Sequence, residues 1–443
     1  MSRHLGWILL LAAACSAPPQ PNVVLVTLDT TRSDHLSAYG YDRPTSPNLE
    51  KLAADGARFD AAYATSATTA PTHASIFTGL HPPVHGVVRN GVPLSEATET
   101  LAERFAAEGY QTAAFVSSFV LQSRFGLDRG FEIYDDDFEK RESSGGGDSF
   151  EWEGRRVYEV FDRRADHTTR RAVRWLKEER DPNRPFLLFV HYFDPHDPYR
   201  PPRAFSERFA SDHQGELERL IALYDAEIAF TDLQLGVLLR ALDDADLRDE
   251  TLVVVTADHG EGLLDHGHMA HGAQLYEEAT RVPLLARWPG RIPPGRVVDA
   301  HVSLVDLAPS LMDLAGVRGP ELGRSFAAAF SEVGEPVTPR PVFLFRRPYP
   351  LEPVGEAESR GSQFGVRSGR WKYLEAPEEE TQELYDLVDD PAERRDLWAE
   401  QPGVARDLQQ LLAEWRQSHP QGTPAPSVNP RDRERLRALG YGD

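Results

Sequence analysis

Four apolar, β-branched-rich runs constrain this chain more than any other feature: Asn22 to Asp29, Gln111 to Val116, Pro185 to His191 and Thr251 to Asp258. Runs so nearly free of polar interruption suit strands buried on both faces of a mainly parallel sheet. Helical patterns lie between them. Thr98 to Glu108 sets Leu101, Ala102, Phe105 and Ala106 on one face, with Gly109 as its stop. Glu216 to Leu242 carries a stripe through Leu217, Leu220, Ile221, Tyr224, Ile228, Leu235 and Leu239. Strand alternating with helix predicts a doubly wound α/β sheet, whose ligands bind outside the carboxyl ends of the strands. Asp29 and Asp258 stand at two such ends.

From about Pro341 the pattern breaks into short β-like pieces. Gly365 to Tyr373 reads as a hairpin and Val404 to Arg416 as a helix. The expected organisation is an α/β catalytic domain over 22–340, a smaller C-terminal α+β subdomain over 341–416, and a Pro-rich, charged tail over 417–443. Arg141 to Gly154, with three consecutive glycines, reads as a mobile loop or insertion. A length of 443 residues accommodates this plan and a sizeable buried site.

The net charge of −22 opposes nucleic acid as a partner, and none is expected, because phosphate-backbone affinity needs clustered Lys and Arg. It does not exclude a small anionic substrate, since a metal ion can invert the local field. The N-terminus follows a signal-peptide plan: Arg3, the short apolar run Leu5 to Leu11, and Ala12-Ala-Ala before Cys15. The small residues before Cys15 resemble a bacterial lipobox, so residues 1–14 are expected to be removed and Cys15 to be acylated. Residues 15–21 would be the anchor and a stiff Pro-rich spacer. The protein would then sit outside the cytoplasm, periplasmic or on the surface, held to the membrane by lipid alone. An ordinary secretory signal with an incidental cysteine is the alternative. Cys15 is the only cysteine, so no intramolecular disulfide can form.

The strongest local chemistry is Thr256-Ala-Asp-His-Gly-Glu261, at the end of a buried strand. There Asp258 and His259 can turn into one crevice, and a carboxylate with an imidazole suits Zn²⁺ or Mn²⁺ better than Ca²⁺. The alternative is an Asp-His pair capping a helix. The second signal is Thr68 to Gly79, where Pro71 suits a first helical turn and Gly79 the end. Thr69 would sit just before the helix N-terminus, where unpaired N–H groups stabilise an anion and a metal could deprotonate its hydroxyl. On local chemistry alone it reads more readily as an N-cap than as a nucleophile.

Taken in order, Val26 to Arg32, the Thr69 helix and Asp258-His259 resemble the three metal-site segments of the sulfatase family, within the alkaline phosphatase superfamily. Leu275 to Leu284, Ser303 to Pro309 and Glu383 to Leu387 extend the resemblance over about residues 22 to 416. The likeness implies a divalent metal held by Asp29, Thr69, Asp258 and His259, with Thr69 at the position where formylglycine sulfatases of that family carry the Cys or Ser that is converted. A threonine cannot undergo that conversion. Thr30 also replaces the usual second Asp, His73 the usual Arg, and Gly109 to Thr112 lacks the downstream Lys. Threonine nucleophiles occur instead in the superfamily's phosphodiesterases, nucleotide pyrophosphatases and phospho-headgroup transferases. The resemblance gives His196 and His271 contact with the transferred group or a second metal, and makes His73 a weaker candidate for substrate contact. His266 and His268 are rim candidates, and His81 and His85 are structural or exposed.

The resulting expectation is a metal-dependent hydrolase of sulfate, phosphate or phosphonate esters on a small-molecule, glycan or lipid substrate. A phospho-headgroup transferase is the rival enzyme, and a lipid-anchored metal-binding protein without turnover the rival from another class.

Overall fold

The computed structural model describes residues 20–138, 150–152, 155–157, 162–210, 215–319, 323–330, 340–351, 359–420, 432, 433 and 436. The signal, Cys15 and spacer of the sequence reading therefore lie outside the described residues. So does most of the Arg141 to Gly154 segment, of which only 150–152 is described, paired with 155–157.

The main sheet contains β1 (Asn22–Leu28), β2 (Ala57–Tyr63), β3 (Gln111–Phe115), β4 (Ile133–Asp135), β5 (Phe186–Tyr192), β6 (Thr251–Ala257), β7 (Arg281–Arg287), β8 (Arg296–Val298) and β9 (Val302–Ser303). Its spatial order is β8-β2-β7-β6-β1-β5-β3-β4, with β9 also on β2. The centre is parallel, β1 lying between β5 and β6, and β7 runs antiparallel to both β6 and β2. All four apolar runs are strands of this centre, and β1, β5 and β6 are buried at every position.

Alternation along these strands divides the core. Val23, Leu25, Leu187, Phe189, Leu252 and Val254 pack under α2 (Thr69–Thr78), α3 (Leu101–Ala107) and α6 (Leu307–Ala315). Val24, Val26, Leu188, Val190, Val253 and Val255 pack against α1 (Pro47–Ala54), α4 (Ala165–Arg174) and α5 (Glu216–Asp244) on the other face. Helices on both faces of a mostly parallel sheet are the doubly wound α/β arrangement. Helix α3 starts on a reciprocal capping box between Thr100 and Glu103, three residues later than the periodicity suggested, and Gly109 follows it with φ 86°.

The smaller C-terminal α+β subdomain is an antiparallel sheet of β10 (Val342–Tyr349), β11 (Gly361–Ser368), β12 (Trp371–Ala376) and β13 (Thr381–Asp386), covered by α7 (Pro402–Ser418). Phe345, Phe364, Val366, Tyr373, Leu384, Leu408, Leu412 and Trp415 form its core. Val342, Leu344, Leu374 and Tyr385 meet Tyr63 and Leu275 of the larger domain. In the tail, Asp432 pairs with Arg124 and Leu436 is buried, so these residues pack on the body. Among the described residues no helix is long and apolar enough to cross a membrane.

Candidate active site

The register of the central strands builds the site. Leu28 is opposite both Tyr192 and Ala257, so Asp29 and Asp258 leave adjacent parallel strands side by side. Thr30, with φ 51°, turns the chain out of β1 in the left-handed region that β-branched residues rarely occupy. That turn points its N–H at Asp258 Oδ1, 3.3 Å away.

Helix α2 brings Thr69 to the same edge. Thr69 is the first residue of the helix, not the one before it. The first-turn N–H of Ala70 donates to Asn90 Oδ1 at 2.8 Å, and Thr72 N–H to the Thr68 carbonyl. The Thr69 hydroxyl is therefore not used as a cap, and lies 3.2 Å from His259 Nε2. His259 Nδ1 donates to the Gly260 carbonyl at 2.9 Å, which leaves Nε2 as a lone pair facing Thr69. Asp29, Thr69, Asp258 and His259 are all fully buried.

This group holds more acceptors than protons. Among the described residues, Asp29 Oδ1 and Oδ2 and Asp258 Oδ2 have no hydrogen-bond donor, although His259 Nε2 lies 3.7 Å from Asp29 and 3.4 Å from Asp258. Burial pushes the Asp29 carboxyl up to about 7, with Glu261 adding to the shift against His259, and raises Asp258 likewise. Burial works against charge on His259, but Asp258 and Asp29 outweigh it and raise its pKa. Carboxylate oxygens of Asp29 and Asp258 and a nitrogen of His259 lie within 4.8 Å of one another. Two carboxylates, an imidazole lone pair and a hydroxyl facing one point fit a divalent cation.

His196 and His271 come to the other side of His259. Their rings are 5.0 Å apart, and His271 lies 4.4 Å from the His259 ring. His196 stacks on Phe193, with Nδ1 donating to the Asp197 carbonyl. Burial, then His271, lowers the His196 pKa to about 3, and burial and His259 lower that of His271. These rings are neutral at pH 7, and since His196 Nδ1 donates to the Asp197 carbonyl and His271 Nδ1 to Glu261, each keeps an Nε2 lone pair.

His73 is placed differently from the expectation of substrate contact. It is fully buried behind Thr69, with Nδ1 donating to the Thr69 carbonyl and Nε2 2.9 Å from the Thr27 hydroxyl. Both nitrogens are used within the fold, so His73 is a positioning residue. His266 stacks on Tyr276 and bonds Glu278, away from the cation group, while His268 is half-buried. His85 is buried beneath α2, and His81 packs on Trp415.

Two buried residues join the site without having been singled out in the sequence. His191 Nε2 lies 3.3 Å from Asp29 Oδ2, short of hydrogen-bond alignment, and Glu261 accepts from His271 Nδ1 at 3.2 Å. The signal for His191 was its phase: it follows Leu187 and Phe189 on the α2 face and pairs with Thr27.

Comparison with known proteins follows the same outline. Residues 21–317 match the Sulfatase family model, and residues 265–418 match that of the N-sulphoglucosamine sulphohydrolase C-terminal region. The chain is 29% identical over 349 residues to the uncharacterized sulfatase YidJ of Escherichia coli, covering 68% of this chain and 69% of that one. It is 24% identical to an N-acetylglucosamine-6-O-sulfatase of Bacteroides thetaiotaomicron, covering 93% and 90%. The phosphonate monoester hydrolase of Agrobacterium radiobacter shares the fold with a TM-score of 0.75 at 24% identity, over 90% of this chain and 96% of that one. With more than half of its length matched by the family model, the chain belongs to the sulfatase family and is an ester hydrolase of that family.

Proposed function

We propose that this chain is a metal-dependent hydrolase in which Thr69 is the nucleophile, and that it cleaves phosphate or phosphonate esters faster than sulfate esters. The observation that carries the proposal is the Thr69 hydroxyl, buried at the start of α2 and aimed at His259 between two donor-poor carboxylates. Asp29, Asp258, His259 and the Thr69 oxygen would hold the cation. When bound, that cation supplies Lewis acidity, lowering the pKa of the hydroxyl and drawing charge from the transferred group. His259, as a nitrogen ligand, favours Zn²⁺ or Mn²⁺ over Ca²⁺.

In the reaction the Thr69 oxygen bonds to phosphorus as the bond to the leaving alcohol breaks on the opposite side. Water then attacks the same phosphorus and frees Thr69. His73 fixes the Thr69 backbone for this, and His196 and His271 offer their Nε2 lone pairs to a proton on the transferred group or to a second ion. A formylglycine hydrate can expel sulfate by collapsing to an aldehyde. A threonine ester has no such exit and must be opened by water at sulfur or phosphorus, which favours phosphorus esters. The phosphonate monoester hydrolase with this fold supports that choice.

A panel of aryl sulfate, phosphate monoester, phosphodiester and phosphonate substrates tests the preference, and faster turnover of the sulfate than of every phosphorus ester would overturn it. Thr69→Ala is expected to cost several orders of magnitude in rate with the fold intact, as for covalent nucleophiles generally. Near-wild-type turnover would remove Thr69 from the mechanism. Chelation is expected to abolish activity and Zn²⁺ or Mn²⁺ to restore it; full recovery with Ca²⁺ alone contradicts the ligand assignment.

The same proposal places the enzyme outside the cytoplasm, tethered through an acylated Cys15. Cys15→Ser should release it from membranes, and a variant that stays membrane-bound sinks the anchor.

A further inference from the structure

Strand β10 belongs to the C-terminal subdomain, yet its last residues reach the catalytic cleft. Its pairing with β11 runs regularly to Arg346 opposite Gln363, then resumes at Tyr349 opposite Gly361, so β10 carries one extra residue there. Such a bulge bends the strand and re-aims a side chain. Arg346 turns inward, where Glu379 and the Ala273 carbonyl take its guanidinium. Arg347 is half-buried, its guanidinium 4.3 Å from the centroid of the Tyr349 ring.

Tyr349 ties this bulge to the site. A β-carbon on Gly272 would lie 3.7 Å from the Tyr349 hydroxyl and 3.5 Å from the Thr68 hydroxyl, so Tyr349, Gly272 and Thr68 close on one another. Their chain neighbours are His271 and Thr69.

Among the described residues Arg347 has no carboxylate partner. The chain has 70 acidic residues against 48 basic ones, and Arg32, Arg163 and Arg346 are all paired with carboxylates. Among the described residues, Arg347 makes no hydrogen bond and no ion pair, only the stack on Tyr349. A guanidinium held by its face keeps its N–H edges available, and that planar fork matches a carboxylate, sulfate or phosphate.

We propose that Arg347 is a specificity residue that receives a second anionic group of the substrate, on the part of the molecule that is not transferred. Thr69 is fully buried and Arg347 only half so, which puts the reacting ester deep and the remainder of the substrate against Arg347. The preferred substrate class is then an ester whose leaving alcohol carries its own carboxylate, sulfate or phosphate. This rests on the reading of the Thr69 group as the ester-cleaving centre.

The test compares two aryl esters of one acid, the 4-nitrophenyl and the 3-carboxy-4-nitrophenyl, using whichever acid the wild type turns over. Arg347→Ala should raise KM for the carboxylated ester about tenfold or more, the worth of one charge-assisted hydrogen bond, and leave its kcat within about twofold. The uncharged ester should keep both constants, and Arg347→Lys should recover part of the KM loss. Equal losses on the two esters, or none on either, would overturn the role. Failure of the underlying reading shows separately, as Thr69→Ala retaining turnover of the uncharged ester.

Discussion

Thr69 is gripped at two points, its carbonyl by His73 and its hydroxyl by His259, and both imidazoles are locked in one tautomer by what they touch. His85, under the same helix, follows the same logic farther from the cation group. Its Nδ1 accepts from the Val87 N–H at 3.1 Å, so the proton is on Nε2 and faces the Ser75 hydroxyl. A second proton would meet the Val87 N–H head on. Burial, then His81, pushes the His85 pKa down to about 3, against about 6.5 in the unfolded chain. As pH falls below 6.5 the unfolded state takes up the proton and the folded state does not. Stability is therefore full above that value and is lost as pH drops from 6.5 toward 3, by about 1.4 kcal/mol per pH unit for this one group. His85→Gln should make the acid limb shallower by up to that slope, read as denaturation free energies at several pH values. A slope identical to wild type would mean that His85 titrates normally.

At the scale of elements, legibility in the sequence followed burial. The central strands were visible because both of their faces are covered, and α2 because Pro71 and Gly79 bracket it. Strand β2 was not visible: its outer face is partly exposed, and Arg58 and Asp60 interrupt the apolar run. The cation group was legible through Asp29, Asp258 and His259, since strand ends in such sheets converge. Which side of Thr69 each histidine takes was not, because it depends on helix phase and strand register together. The start of α1 shows the same limit. Ser46 precedes Pro47 where a capping side chain is expected, yet its hydroxyl turns to Ala38 and Ser37. The cap comes from Asp232 on α5, which accepts from the Asn48 and Leu49 N–H groups at 2.9 Å. Nothing near Ser46 in the chain announces a partner so distant in sequence.

For the molecule as a whole, the specificity proposed for Arg347 requires that the subdomain stay seated, and one buried cation sits in that seam. Lys372 on β12 is fully buried, its ammonium 3.1 Å from Glu277 and 2.9 Å from Glu393. Glu277 also accepts from the Tyr63 hydroxyl on β2, and its own N–H donates to Glu393 at 2.6 Å, so the cluster joins the two sheets. Burial opposes charge on Lys372, but Glu393 and Glu277 outweigh it and raise its pKa. A buried ion cluster of this kind adds little net stability over apolar packing, because desolvation offsets the attraction. Removing only its cation is another matter, since two carboxylates are then left facing each other out of water. Lys372→Met should cost about 3–5 kcal/mol. Lys372→Met combined with Glu393→Gln should recover part of it, because one of the stranded charges is gone. Denaturant unfolding of the two variants tests this. If the seam also seats β10, the single variant should raise KM for the carboxylated aryl ester more than for the uncharged one. Wild-type stability in Lys372→Met would show that the ammonium does not hold the subdomain in place.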